Sequence, residues 1–65
     1  MDEITVEIYK KVFIQFYEDE DVSYTRVNTS FSNGFLNVYL FNDDMILFKV
    51  EMYNQNDIKN IEVEI

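Results

Sequence analysis

Apolar residues recur at every second position from the start of the chain. Ile4, Val6, Ile8, Val12, Ile14 and Phe16 share one parity, interrupted only by Lys10, while Thr5, Glu7, Tyr9, Lys11, Phe13, Gln15 and Tyr17 hold the other. A period of two belongs to an extended strand, whose side chains alternate between faces, and almost nothing here repeats at helical spacing. The alternation restricts the chain to an all-β fold, with this segment as one long strand or as two strands bent near Lys10-Lys11. One glycine and no proline leave few breakers, so long regular elements are expected.

Turn chemistry divides the rest. Glu18-Asp19-Glu20-Asp21 reads as a turn that four adjacent carboxylates keep in water, and Val22 to Ser32 as a second strand rich in β-branched and aromatic residues. Asn33-Gly34 is the strongest hairpin signal, because a type I′ turn needs positive φ at both central positions. A loop there sets Phe31 opposite Leu36, Thr29 opposite Val38 and Val27 opposite Leu40. A loop centred on Asp19-Glu20 would set Val12 opposite Val27, Ile8 opposite Phe31 and Ile14 opposite Thr25. Asn42-Asp43-Asp44, as a three-residue loop, would pair Leu40 with Ile46, Val38 with Phe48 and Leu36 with Val50. A two-residue loop would set Lys49 against Val38 and is disfavoured. The three turns together predict an antiparallel four-strand meander with one apolar face.

After a turn at Asn54-Gln55-Asn56-Asp57, a 3₁₀ turn over Asp57-Ile58-Lys59-Asn60 and a short last strand carrying Ile61, Val63 and Ile65 are expected. That order resembles an SH3-like barrel in topology, without the ligand-binding motifs of such barrels. A curved open sheet that dimerises through its apolar face is the competing architecture. No repeat, linker or low-complexity segment divides residues 1–65, which read as a single small β domain.

A chain of 65 residues lies near the lower limit for an unaided core, and with Cys 0 and His 0 neither a disulfide nor a Cys/His metal cluster can help. Hydrophobic residues at 48% and aromatics at 17% supply the burial instead. The net charge of -8, from 13 acids against 5 bases, repels nucleic acid and anionic membranes and favours basic partners, unless it serves solubility alone. The start Met1-Asp2-Glu3 is acidic, and no apolar stretch approaches the length of a spanning helix. A soluble, cytoplasmic protein with neither signal peptide nor membrane contact is expected.

Enzyme chemistry finds few footholds. Without Cys or His the usual nucleophile–base pairs cannot be assembled, and nothing marks a nucleophile elbow beside Lys10 or Lys11. Gly34 stands alone, so no phosphate cradle is expected. The carboxylates of Glu18, Asp19, Glu20, Asp21, Asp43 and Asp44 sit in turns, where solvation keeps them ordinary, and the acidic run lacks the alternating ligands and mid-loop Gly of a calcium loop. No catalytic residue, cofactor or metal is expected.

The face opposite the expected core is unusual. The expected registers line up Phe13, Arg26, Phe41 and Met45 in one row, flanked by Lys11, Asn28, Tyr39 and Leu47 and by Gln15 with Tyr24, with Tyr9, Tyr17 and Tyr53 toward the margins. A sheet seldom leaves that much aromatic surface bare, and Tyr, Phe, Met and Arg are enriched at interfaces. It could be a second core layer, a self-association surface or a docking face. Phe13, Tyr24, Arg26, Tyr39 and Phe41, with the six turn carboxylates, are therefore the candidate partner-binding residues.

In size, charge and lack of Cys, Pro and His, the chain resembles in composition the small acidic inhibitors encoded by phages, such as anti-CRISPR proteins and glycosylase inhibitors, although no specific motif is shared. The expectation is a non-enzymatic module that binds a larger protein with a basic or aromatic-accepting surface. It would act by steric blockade or by carboxylates mimicking nucleic-acid phosphates, and would not bind nucleic acid directly. A homodimer or larger self-assembly through the aromatic face is the alternative, and a strand added at an open edge is a further route to a partner.

Overall fold

The computed structural model describes residues 8–65. They form β1 (Tyr9–Phe16), β2 (Val22–Ser32), β3 (Phe35–Phe41), β4 (Leu47–Asn54), a 3₁₀ turn at Gln55–Asp57 and β5 (Ile58–Glu64). All neighbours are antiparallel in one sheet of order β4-β3-β2-β1-β5. No ladder joins β4 to β5, so the sheet is curved and open, and those strands are its edges among the described residues. The expected pairing of Ile8 with Phe31 is not formed, and Ile4 and Val6 lie outside the described residues.

The β2–β3 hairpin has the expected register, Phe31 with Leu36, Thr29 with Val38 and Val27 with Leu40. Its turn residues Asn33 and Gly34 have φ of 52° and 81°, the left-handed values a type I′ turn requires. The β1–β2 register differs from the expected one: Val12 pairs with Tyr24 and Ile14 with Val22, while Tyr9 pairs with Val27. The turn accounts for this, and the pairing then runs past Arg26 without a shift. The connection over residues 17–21 is wide, so adjacent carboxylates escape a tight turn. Arg26 has a φ of 54°, which breaks the alternation along β2. Val22 and Tyr24 face the core before that residue, and Val27 faces it afterwards. In β1 the parity changes in the same way near Lys10-Lys11, between Tyr9 and Val12, where the bend is expected.

That break folds the sheet over. The first half of β2, up to Val27, pairs with β1, and the second half, from Val27, pairs with β3. β1 and β4 lie three strands apart, which in a flat sheet would be about 14 Å. Yet the rings of Phe16 and Tyr53 meet with centroids 5.1 Å apart, and the Tyr24 and Tyr53 hydroxyls share a hydrogen bond. The enclosed core is Val12, Ile14, Val27, Leu36, Val38 and Leu40, with Tyr9, Phe16, Val22, Tyr24, Tyr53, Ile58 and Ile61 packed around it.

The 3₁₀ turn closes the rear of this curl and lies earlier than expected, at Gln55–Asp57 rather than 57–60. Asn54 caps it by accepting from the Asn56 N–H at 2.9 Å, which frees Ile58 to enter β5 opposite Phe16. The Gln55 N–H donates to the Gly34 carbonyl at 2.9 Å, and the Tyr17 N–H to the Asp57 carbonyl at 3.1 Å. The acidic run after Tyr17 thus lies within one 3₁₀ turn of the Asn33-Gly34 hairpin. A flat meander would put it at the far end.

The β3–β4 register is the second departure. Leu36 pairs with Tyr53, Val38 with Glu51 and Leu40 with Lys49, rather than with Val50, Phe48 and Ile46. The loop has three residues, but they are Asp43-Asp44-Met45, closed by the Asn42 N–H donating to the Ile46 carbonyl at 3.0 Å. The Asn42 side chain holds this loop by accepting from the Asp44 and Ile46 N–H groups, and Met45 supplies the left-handed φ of 62°. A bulge between the Leu40 and Phe41 pairings then adds one more residue to β4. Loop and bulge together shift the pairing by an odd number, and an odd shift exchanges the faces of a strand. Lys49, Glu51 and Tyr53 therefore lie opposite the core residues of β3, and Phe48, Val50 and Met52 lie on the outer face.

Candidate protein-binding surface

The exchange of faces leaves a continuous apolar strip bare. Met45, Ile46, Leu47, Phe48, Val50 and Met52 are all exposed, Phe48 at 63% and Met52 at 60%. The bulge directs Leu47, opposite Phe41, and the following Phe48 outward together. Across the ladder the half-buried Phe41, Tyr39 and Asn37 pair with Leu47, Val50 and Met52, so the strip is two strands wide. Tyr39 is fixed from the neighbouring β2 by a 3.2 Å hydrogen bond between its hydroxyl and Ser30 Oγ. Single exposed apolar residues are ordinary, but a run on one edge strand and its turn is a candidate contact surface.

The inner side of the same strand is polar. Lys49 Nζ stands 2.8 Å from Glu51 Oε1, and hydrogen bonding to Glu51, followed by its charge, raises the lysine pKa. Tyr53 continues the row and is held neutral well above the ordinary tyrosine range, first by burial and then by its bond with Tyr24. A phenol so held serves neither as base nor as nucleophile near neutral pH.

Charged residues border the strip at its turn. Arg26 Nη2 pairs with Asp43 Oδ1 at 3.0 Å, and Arg26 Nε donates to the Phe41 carbonyl at 3.5 Å, which ties the β3–β4 loop to the break in β2. Asp44 is exposed beside it. Glu18, Asp19, Glu20 and Asp21 are exposed as well, and Glu18 and Asp19 line a shallow depression with Tyr17, Asn56 and Asp57. Among the described residues, no three His, Cys, Asp or Glu residues are grouped to hold a metal, and no helix is long and apolar enough to cross a membrane.

Of the residues singled out from sequence, Arg26, Phe41 and Asp43 are brought together, and Tyr39 shares their surface. Tyr24 is not on this face: it packs against the core and bonds Tyr53. Phe13 is not in a row with Arg26 either, since it pairs with Ser23 and Glu62 and lines a separate groove with Lys11, Val63 and Glu64. Phe48, Val50 and Met52, the centre of the strip, have the parity that simple alternation assigns to the core. Lys49 and Glu51 at the alternate positions strengthen that assignment, so the sequence carries no signal for their exposure, which comes from the bulge. No family model, curated protein or solved structure matches this chain.

Proposed function

We propose that the chain is a non-enzymatic protein-binding module that seats the outer strip of β4 and its turn against a larger protein and acts by covering that surface. The observation that carries the reading is the exposed run from Met45 to Met52 on an edge strand of so small a domain. Burying such a strip recovers hydrophobic free energy that folding leaves unused. A net charge of -8, with Asp43 and Asp44 at the end of the strip, favours a partner whose apolar patch is rimmed by Lys and Arg. A blocking role like that of acidic phage-encoded inhibitors fits this pairing, with carboxylates in the place of nucleic-acid phosphates and the cytoplasm as the setting.

The test places a photo-crosslinking residue at Phe48 or, as a control on the other edge, at Lys59, in cells producing the protein. Adducts of defined mass from position 48, absent from position 59 and reduced when Asp43 and Asp44 are changed to Lys, are expected. Adducts from position 59 with none from 48, or no adduct from either, overturn the reading.

A further inference from the structure

The β4 edge is complementary to itself. Resting on the reading of β4 as the binding surface, we propose that its occupant in the free protein is a second copy, with the two β4 strands paired antiparallel about a two-fold axis at Val50.

Among the described residues, the strand order leaves one side of β4 without a neighbour, so its outward backbone groups are available to a further strand. With Val50 on the axis, Phe48 faces the partner's Met52, Lys49 faces the partner's Glu51, and Val50 meets the partner's Val50. The two-fold then repeats each contact. One face of the junction carries two Phe–Met contacts around a Val pair, a combination that sulfur and ring both favour. The other carries two Lys–Glu pairs directly opposed, an arrangement that stabilises cross-strand neighbours.

Charges on the inner face of an edge strand ordinarily guard it against stray pairing, because a longer sheet would bury them. Here the guard is matched in a single register. Moving the axis to Lys49 sets lysine against lysine, and moving it to Glu51 sets glutamate against glutamate. An axis between residues sets apolar side chains on the charged face. The inner charges thus favour the register at Val50, where both lysines meet glutamates, over its neighbours.

The β5 edge lacks this property. Asn60, Glu62 and Glu64 share one face of it, since Glu62 and Glu64 pair with Phe13 and Lys11. An axis at Glu62 opposes the two Glu62 residues, and an axis at Val63 opposes Glu62 to Glu64. No residue-centred axis on β5 opposes acid to base, so its glutamates gain no partner from a second copy. Residues 47–54 carry net zero charge on a chain of net charge -8, which spares β4 that opposition of acids.

The experiment is native mass spectrometry with sedimentation equilibrium on wild type, Lys49→Glu, Glu51→Lys, their equimolar mixture and the double swap. A wild-type dimer is expected, and each single variant should associate at least tenfold more weakly, because four like charges then face one another. The mixture should recover a heterodimer, since only a pairing of one single variant with the other again opposes acid to base at both contacts. The double swap should match wild type. Because the recovery needs both chains, loss of the exposed intrachain Lys49–Glu51 pair cannot produce it. If a single variant fails to fold, the double swap and wild type still decide: a double swap that stays monomeric overturns the register. A monomeric wild type, open polymers or a mixture without heterodimer overturns the proposal. A monomer that still crosslinks a different protein from position 48 defeats this inference and leaves the binding reading standing. A monomer with no adduct from position 48 defeats both.

Discussion

Truncating Phe48 distinguishes the observed strand register from the one that simple alternation suggests. Phe48 is 63% exposed, so about a third of the roughly 200 Å² a phenylalanine can bury is withdrawn from water. At about 25 cal/mol per Å² that burial contributes about 1.5–2 kcal/mol, and a compact denatured state reduces it to about 1–1.5 kcal/mol. If Phe48 instead faced the fully buried Val38, its truncation would cost about 3–5 kcal/mol. A domain of this length has a total stability of about 3–10 kcal/mol, so the two registers predict either a modest shift or near-complete unfolding. The assay is urea denaturation of Phe48→Ala followed by far-UV circular dichroism and tyrosine emission, because the chain has no tryptophan. It is run at a concentration where sedimentation shows a monomer, so that association adds nothing to stability. Leu36→Ala is the reference, since Leu36 is fully buried and its truncation should cost about 2–5 kcal/mol. A Phe48→Ala loss as large as that of Leu36→Ala would refute the outward placement of Phe48, and with it the exposed strip.

Two further outcomes follow from the inner row and from the break in β2. Tyr53 keeps its proton to higher pH in the fold than in the unfolded chain, because burial and then Tyr24 raise its pKa. Its contribution to stability is therefore complete below about pH 10 and is lost as pH rises above that value. Tyr53→Phe should flatten the fall in stability between about pH 10 and 11.5 measured by urea titration, and an unchanged slope would contradict the cause assigned here. Arg26 sits at a φ of 54°, a conformation that costs a non-glycine residue about 1–2 kcal/mol. Its exposed pair with Asp43 returns about 0–1 kcal/mol. Arg26→Gly should thus be neutral or up to about 1 kcal/mol more stable, and Arg26→Val less stable than wild type by more than about 1 kcal/mol. A glycine variant less stable than the valine variant would show that β2 does not turn there.

The parts of the fold legible from sequence are those with local turn chemistry. Asn33-Gly34 set the β2–β3 pairing, and β2 runs from Val22 to Ser32 as its composition suggests. The neighbouring registers and faces are not legible, because they depend on the width of the 17–21 connection and on irregularities without a strong residue signature. Arg26 and Met45 take left-handed values without being Gly or Asn, and the bulge before Lys49 sits in an unbroken apolar run. Each changes the side-chain parity or the pairing count by a small step, and one step reassigns every residue beyond it. The candidate surface is half legible for the same reason. Arg26, Tyr39, Phe41 and Asp43 can be grouped through β2 and β3, whereas Phe48, Val50 and Met52 cannot be moved from core to surface without knowing the bulge.

Composition carries a hint that alternation alone obscures. A domain of 65 residues has a high ratio of surface to volume, and a chain 48% hydrophobic holds more apolar side chains than such a domain can enclose. Some must lie outside, and β4 with its turn gathers Met45, Ile46, Leu47, Phe48, Val50 and Met52 into one run. By the logic of stability alone the arrangement is costly, since Lys49 and Glu51 face the core residues Leu40 and Val38 while Phe48, Val50 and Met52 face water. Departures of that kind from local consistency concentrate where a surface is kept for a purpose other than folding. The loop held by Asn42 slides the pairing by two residues and keeps the faces of β4, and the bulge that follows adds one more residue and exchanges them. The bulge is thus the device that turns Phe48, Val50 and Met52 outward, and β4 is the strand on which local alternation and the observed fold diverge.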